Sequence, residues 1–135
     1  MTTSIQASSA PVYLLDVNVL IAAIWTTHSQ HLKVDAWLQG KNVALCPISE
    51  IGFLRISTHK KALAASMADS NRLLDDFYQN VNPEFVAADA SAHGLKATTS
   101  DDVTDAYLVN LARNHSMKLA TLDTGITHSV VEFIK

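Results

Sequence analysis

With 135 residues, 48% of them hydrophobic and 17% charged, the chain has one domain's worth of core and excludes disorder as its default state. Ten Lys and Arg against 13 Asp and Glu set the formal charge at −3, which excludes a generally basic nucleic-acid binder. A single cysteine, Cys46, excludes an intrachain disulfide, and the longest strictly apolar run, Val19 to Trp25, is far short of the roughly 20 residues a membrane helix needs.

The first ten residues, MTTSIQASSA, have neither a cationic start nor an apolar centre. They read as a flexible tail over 1–10 and not as a signal peptide, so a soluble cytoplasmic chain is expected. Val12 to Leu15 is a short continuous apolar run ending at Asp16, suited to a strand buried on both faces. Val17 to Trp25 follows as a mostly buried helix. A second helix is expected from about His28 to Gln39, with Leu32, Ala36 and Trp37 on its inner face and Gly40 after its last turn. Val43 to Cys46 reads as a second buried strand stopped by Pro47, with Cys46 a small core residue. Ser49 is the expected N-cap of a helix through about Thr58 that carries Phe53, Leu54 and Ile56. A helix from Met67 to Gln79 turns Leu73, Leu74 and Phe77 inward and Asp69, Asp75 and Asp76 outward. Phe85 to Ala87 is a short strand after Pro83, and residues 88–100 form a loop around Gly94. From Asp102 to His115 the period is helical, with Val103, Ala106, Tyr107, Asn110 and Leu111 on one face. Lys118 to Leu122 is a strand ending at Asp123, and Val130 to Ile134 is the last. Strands alternating with helices argue an α/β class with a mainly parallel central sheet flanked by helices.

In open parallel sheets, ligands bind outside the carboxyl ends of the strands. Asp16 and Asp123 directly follow predicted strands, and Glu50 and Asp105 sit in early turns of predicted helices that start on that same edge. Each has a bland explanation. Asp16 suits a helix N-cap, Asp123 before Thr-Gly suits a turn, and Glu50 suits a helix start. Asp105, between apolar neighbours, has the weakest one. Four carboxylates converging without a cation repel one another, and a hard divalent ion with oxygen preference removes that cost. Mg²⁺ or Mn²⁺ in such a centre promotes hydrolysis of a phosphate ester.

The segments LLDVNVLIAA, CPISEIGFLRI, VTDAYLVNLA and LATLDTG together resemble the PIN-domain ribonucleases, specifically toxins of the VapC type. The resemblance covers nearly the whole chain after residue 10 and implies a single three-layer PIN-like nuclease domain over 11–135. It matches Asp16, Glu50, Asp105 and Asp123 to the family's metal-binding and catalytic acids. Asn18 matches the small polar residue two places after the first acid, and Thr121 the hydroxyl residue two places before the last. Where many PIN domains carry a further acid, this chain has Gly125; Asp102, on the same side of the helix start as Asp105, is read as a solvated N-terminal acid. The resemblance implies an Mg²⁺- or Mn²⁺-dependent endoribonuclease that leaves 5′-phosphate and 3′-hydroxyl ends. It also implies a cognate small antitoxin as partner and a homodimeric state. RNA, the toxin role and the antitoxin come from the resemblance alone. The alternatives are a PIN nuclease of RNA processing without an antitoxin, and a catalytically degenerate PIN scaffold.

Arg55, on the helix of Glu50, is the candidate substrate contact, with Lys60 and Lys61 weaker ones. His28 and His31 form an HxxH without further ligands at zinc spacing, so a solvated helix start is the reading. Trp25, Trp37 and Tyr107 have apolar neighbours and are read as core or dimer contacts before base-stacking platforms. Setting the four candidate acids aside leaves nine acids against ten bases, a balance of about +1. The −3 is therefore concentrated in one place.

Overall fold

The computed structural model describes residues 10–126 and 128–135. The tail expected over 1–10 lies, but for Ala10, outside the described residues. The elements run β1 (Val12–Leu15), α1 (Val17–Ile24), α2 (His31–Leu38), β2 (Asn42–Leu45), α3 (Pro47–Thr58), α4 (Met67–Val81), β3 (Glu84–Phe85), a 3₁₀ turn (Ser100–Asp102), α5 (Val103–Asn114), β4 (Lys118–Thr121) and β5 (Val131–Phe133). All five strands are parallel, in the order β3-β2-β1-β4-β5. No helix among the described residues is long and apolar enough to cross a membrane.

The strands are apolar on both faces because both faces are covered. Tyr13 and Leu15 of β1, with Val43 and Leu45 of β2, pack on one side against α1, α3 and α4 through Leu20, Phe53, Leu74 and Phe77. Leu14, Ala44 and Leu119 point to the other side, where Tyr107, Leu108 and Leu111 of α5 cover them. The result is three layers, helix on sheet on helix. Cys46 is buried, as expected of a core residue. Gly52 lies where α3 crosses α1: a Cβ there would collide with both methyls of Val17, so only glycine permits this approach.

Four local expectations need correction. In α2, Leu32 is 81% exposed and Ala36 is exposed, while Val34 is fully buried and Trp37 meets Tyr13 edge-on at 5.1 Å. Trp37 faces inward as expected, but the stripe it belongs to is Val34, Trp37 and Leu38, at i, i+3 and i+4, and not Leu32 and Ala36. Helix α3 starts at Pro47 with Cys46 as its N-cap; proline is favoured in a first turn, where its missing N–H costs nothing. Ser49 is inside that turn and donates its hydroxyl to Leu15 O at 2.7 Å, tying α3 to the end of β1. β3 is Glu84–Phe85, with Phe85 57% exposed and Val86 buried just beyond, its N–H donating to Leu45 O. In α5, Val103 is 45% exposed, because the first turn stands at the acidic edge and the inward face begins at Tyr107.

Candidate active site

The strand order reverses between β1 and β4: the chain builds β2 and β3 on one side and β4 and β5 on the other. Such a switch point opens a crevice at the carboxyl ends of the two central strands, because the connections leave in opposite directions. Asp16 follows β1 there, Asp123 follows β4, the 3₁₀ turn brings Asp102 and the first turn of α5 brings Asp105.

Asp16 is only 5% exposed. Its Oδ1 accepts from the Val17 N–H at 2.7 Å and its Oδ2 from the Thr121 hydroxyl at 2.8 Å. It therefore does cap α1, and it is also locked to β4. Burial raises its carboxyl above the usual range; the hydrogen bonds from Thr121 and Val17 oppose this, and the charge of Asp123 adds to it. Thr121, fully buried, uses its oxygen twice, accepting from the Asp123 N–H at 3.0 Å as well. One hydroxyl thus sets the distance between two of the acids. Asn18 accepts from the Leu122 N–H at 3.3 Å and steadies the same loop from α1. Asp123 accepts from the Gly125 N–H at 2.8 Å, which is turn chemistry, while its carboxylate stays exposed.

Asp105 records the convergence. Burial, and then the charges of Asp16, Asp123 and Asp102, push its carboxyl up to about 6. The ion pairs among the described residues are Arg72–Asp69 and His115–Asp89, so none of the cluster's acids is neutralised by a cation. Glu50 is placed differently. It sits in the first turn of α3, and its carboxylate accepts a 2.6 Å hydrogen bond from the Tyr78 hydroxyl of α4. It is not among the charges acting on Asp16 or Asp105. Tyr78 escaped the sequence reading because its partner is 28 residues away on another helix. Burial and the Glu50 carboxylate raise its phenol, so it remains the donor.

The donor chemistry at this edge fits a hard divalent cation: carboxylate oxygens in excess, with no cation paired to them among the described residues. Among the described residues, however, no three of His, Cys, Asp and Glu stand as a ready ligand set. It is the charge imbalance that points to a cation.

Two clefts reach the start of α5. One, of about 570 Å³, is lined by Asp102, Asp105 and Gly125 with Lys96, Arg113 and His128. The other, of about 490 Å³, is mostly apolar, lined by Val17, Ile48, Ile51, Ile56 and Thr104, and it contains Arg55. Arg55 therefore faces the apolar groove, and Lys60 and Lys61 lie exposed beyond the end of α3.

The residues given structural readings have structural partners. The His28 Nδ1 accepts from the Gln30 N–H, and His31 Nδ1 meets Ala22 O. Trp25 donates to Ser57, and Tyr107 donates to Ala90 O.

A model of the PIN domain matches residues 13–130. The chain belongs to the PIN-domain family. Among curated PIN relatives, Ribonuclease VapC38 of Mycobacterium tuberculosis is 35% identical over 127 residues, covering 84% of this chain and 86% of that protein. Ribonuclease VapC29 of the same organism is 33% identical over 120 residues, covering 85% and 88%. Solved structures share this PIN fold: VapBC2 from Rickettsia felis bound to a DNA fragment from their promoter has a TM-score of 0.58 at 16% identity, over 84% of this chain and 89% of that one. FitAcB from Neisseria gonorrhoeae has 0.54 at 24% identity, over 84% and 88%.

Proposed function

We propose that this PIN domain is an Mg²⁺- or Mn²⁺-dependent endoribonuclease of the VapC type, acting in the cytoplasm as the toxin of a toxin–antitoxin pair. The observation that carries the reading is the uncompensated meeting of Asp16, Asp105 and Asp123 at the switch point, recorded in the raised carboxyl of Asp105. The curated relatives named ribonuclease VapC support the substrate and the toxin role. The solved VapBC2 structure supports an antitoxin partner.

Asp16, Asp105 and Asp123 would hold the ion, with Glu50 closing the site from α3. A bound divalent cation supplies positive charge against the attacked phosphodiester and makes nearby water more acidic. The chain's own work is positioning. Thr121 spaces Asp16 from Asp123, Asn18 holds the loop after β4, and Tyr78 orients Glu50. Breaking the bond between phosphorus and the 3′ oxygen leaves a 5′-phosphate and a 3′-hydroxyl. The apolar groove beside the site suits the tail of a small antitoxin, and homodimerisation belongs to the same reading. Gly125 adds no ligand. Its N–H supports Asp123 instead, which favours a working site over a degenerate one.

The test is cleavage of RNA by the purified chain with Mg²⁺ or Mn²⁺, with 5′ ends mapped, and growth on induced expression. Discrete cuts and growth arrest are expected from wild type. Asp16→Asn keeps the cap and the shape but removes the charge, and should lose about 100-fold or more in rate. Cleavage by Asp16→Asn at the wild-type rate would overturn the site.

A further inference from the structure

The larger cleft contains positive charge that the acid cluster does not use. Its wall along α5 presents Asp105 at one end, with Asp102 of the 3₁₀ turn just before it, and Arg113 at the other. Asp105, Val109 and Arg113 recur at fourth positions, which puts them on one helix face, with Arg113 about 12 Å along the axis from Asp105. Lys96 and His128 line the same cleft from neighbouring loops. A groove that is acidic at one end and basic at the other suits a polyanion whose reacting phosphate sits at the acids.

Arg113 is held ready rather than neutralised. Its Nη2 donates to Asn110 Oδ1 at 2.7 Å, which fixes the plane of the guanidinium. Its Nη1 lies 3.2 Å from His128 Nε2, while His128 Nδ1 faces the Val130 N–H at 3.2 Å. A neutral imidazole has one acceptor nitrogen, so two donors compete for a single lone pair. No carboxylate pairs with Arg113 among the described residues. The guanidinium is left with donors and a full charge facing the cleft, the geometry that favours phosphate.

We propose that Arg113, with Lys96 and His128, forms a subsite for a backbone phosphate of single-stranded RNA beside the scissile bond. The inference rests on the ribonuclease reading and adds which way the strand runs: along α5, from the acids toward its C-terminus. A contact to phosphate positions the strand without selecting its sequence. The competing role for Arg113, complementing the C-terminal end of the helix dipole, predicts lower stability and unchanged RNA binding.

The experiment measures binding of a fluorescent single-stranded oligoribonucleotide by anisotropy, with chelator present so that nothing is cut, across a salt series. Wild type, Arg113→Ala, Lys96→Ala and Arg72→Ala are compared; Arg72 is an exposed arginine of α4 paired with Asp69, remote from the cleft. Arg113→Ala is expected to weaken binding about tenfold and to reduce the slope of log affinity against log salt by about 0.7. Lys96→Ala should move both in the same direction, and Arg72→Ala neither. With Mg²⁺, KM should rise by the same factor in Arg113→Ala and kcat should hold within about twofold. Binding and slope unchanged in Arg113→Ala, or no RNA binding by wild type, overturns the subsite. Wild type that binds through Arg113 but never cuts supports the subsite while removing the ribonuclease reading. Wild type that cuts while Arg113→Ala binds normally does the reverse.

Discussion

Asp105 loses its proton near pH 6 in the folded chain, whereas an aspartate in an unfolded one loses it near 4. Between those values the folded state binds more protons than the unfolded state, so this group's contribution to stability falls as pH rises. It is fully present below about pH 4 and is lost by the time pH has passed through about 6. Asp105→Asn removes the titration with little change in volume. With divalent ions chelated, the variant is expected to melt at the wild-type temperature at pH 4 and above it at pH 8. Equal melting temperatures at pH 8 would mean that Asp16, Asp123 and Asp102 do not crowd Asp105. The same substitution should abolish cleavage, so the site would be more stable without the residue it works with. That pairing is the thermodynamic mark of a functional acid, since a structural one would lower stability when removed.

Helix α3 fixes the register between the acidic edge and the rest of the first layer, through Ser49 on Leu15 O and through Gly52 against Val17. Gly52→Ala drives a methyl into both branches of Val17, a side chain with little rotamer freedom in a helix. The expected cost is about 1–3 kcal/mol despite alanine's better helix propensity, read from the urea midpoint. A stabilised Gly52→Ala would mean that α1 and α3 can move apart freely. The elements that were legible in the sequence share one property: their pattern is local. β1 and α1 are marked by apolar runs on either side of Asp16, and α4 by clean spacing of Leu73, Leu74 and Phe77 opposite its aspartates. What escaped was set by distant partners. Val34 and not Leu32 faces inward because α2 docks through Trp37 on Tyr13, and Ser49 reaches a carbonyl 34 residues away instead of capping its helix. Asp16, Asp105 and Asp123 were readable because strand ends and a helix start put them on one edge, whereas Glu50 stands apart, bonded to Tyr78. The Tyr78 bond to Glu50 and the basic wall around Arg113 were not, since they arise between helices and loops that no periodicity connects.

Across the whole molecule, the formal charge of −3 divides into a nearly balanced surface and one acidic crevice at the β1–β4 switch point. An RNA strand approaching the chain as a whole meets little net repulsion, and the acids weaken the seating of one phosphate beside them, without excluding the strand, until a cation occupies them. A divalent ion that binds only the folded state must therefore stabilise the fold as well as prepare the site, because the same repulsion opposes both. At an ion concentration about 100 times its Kd, the linkage amounts to about 2.7 kcal/mol, or a rise of roughly 10 °C in melting temperature for a domain of this size. Mg²⁺ and Mn²⁺ are expected to produce that rise in wild type at pH 8. A smaller one is expected at pH 5, where Asp105 is mostly protonated and its proton competes with the ion for the carboxylate. Asp16→Asn should respond little at either pH. An equal rise in Asp16→Asn would locate the ion elsewhere on the surface, and no rise in wild type would leave the carboxylates without the cation that their repulsion calls for.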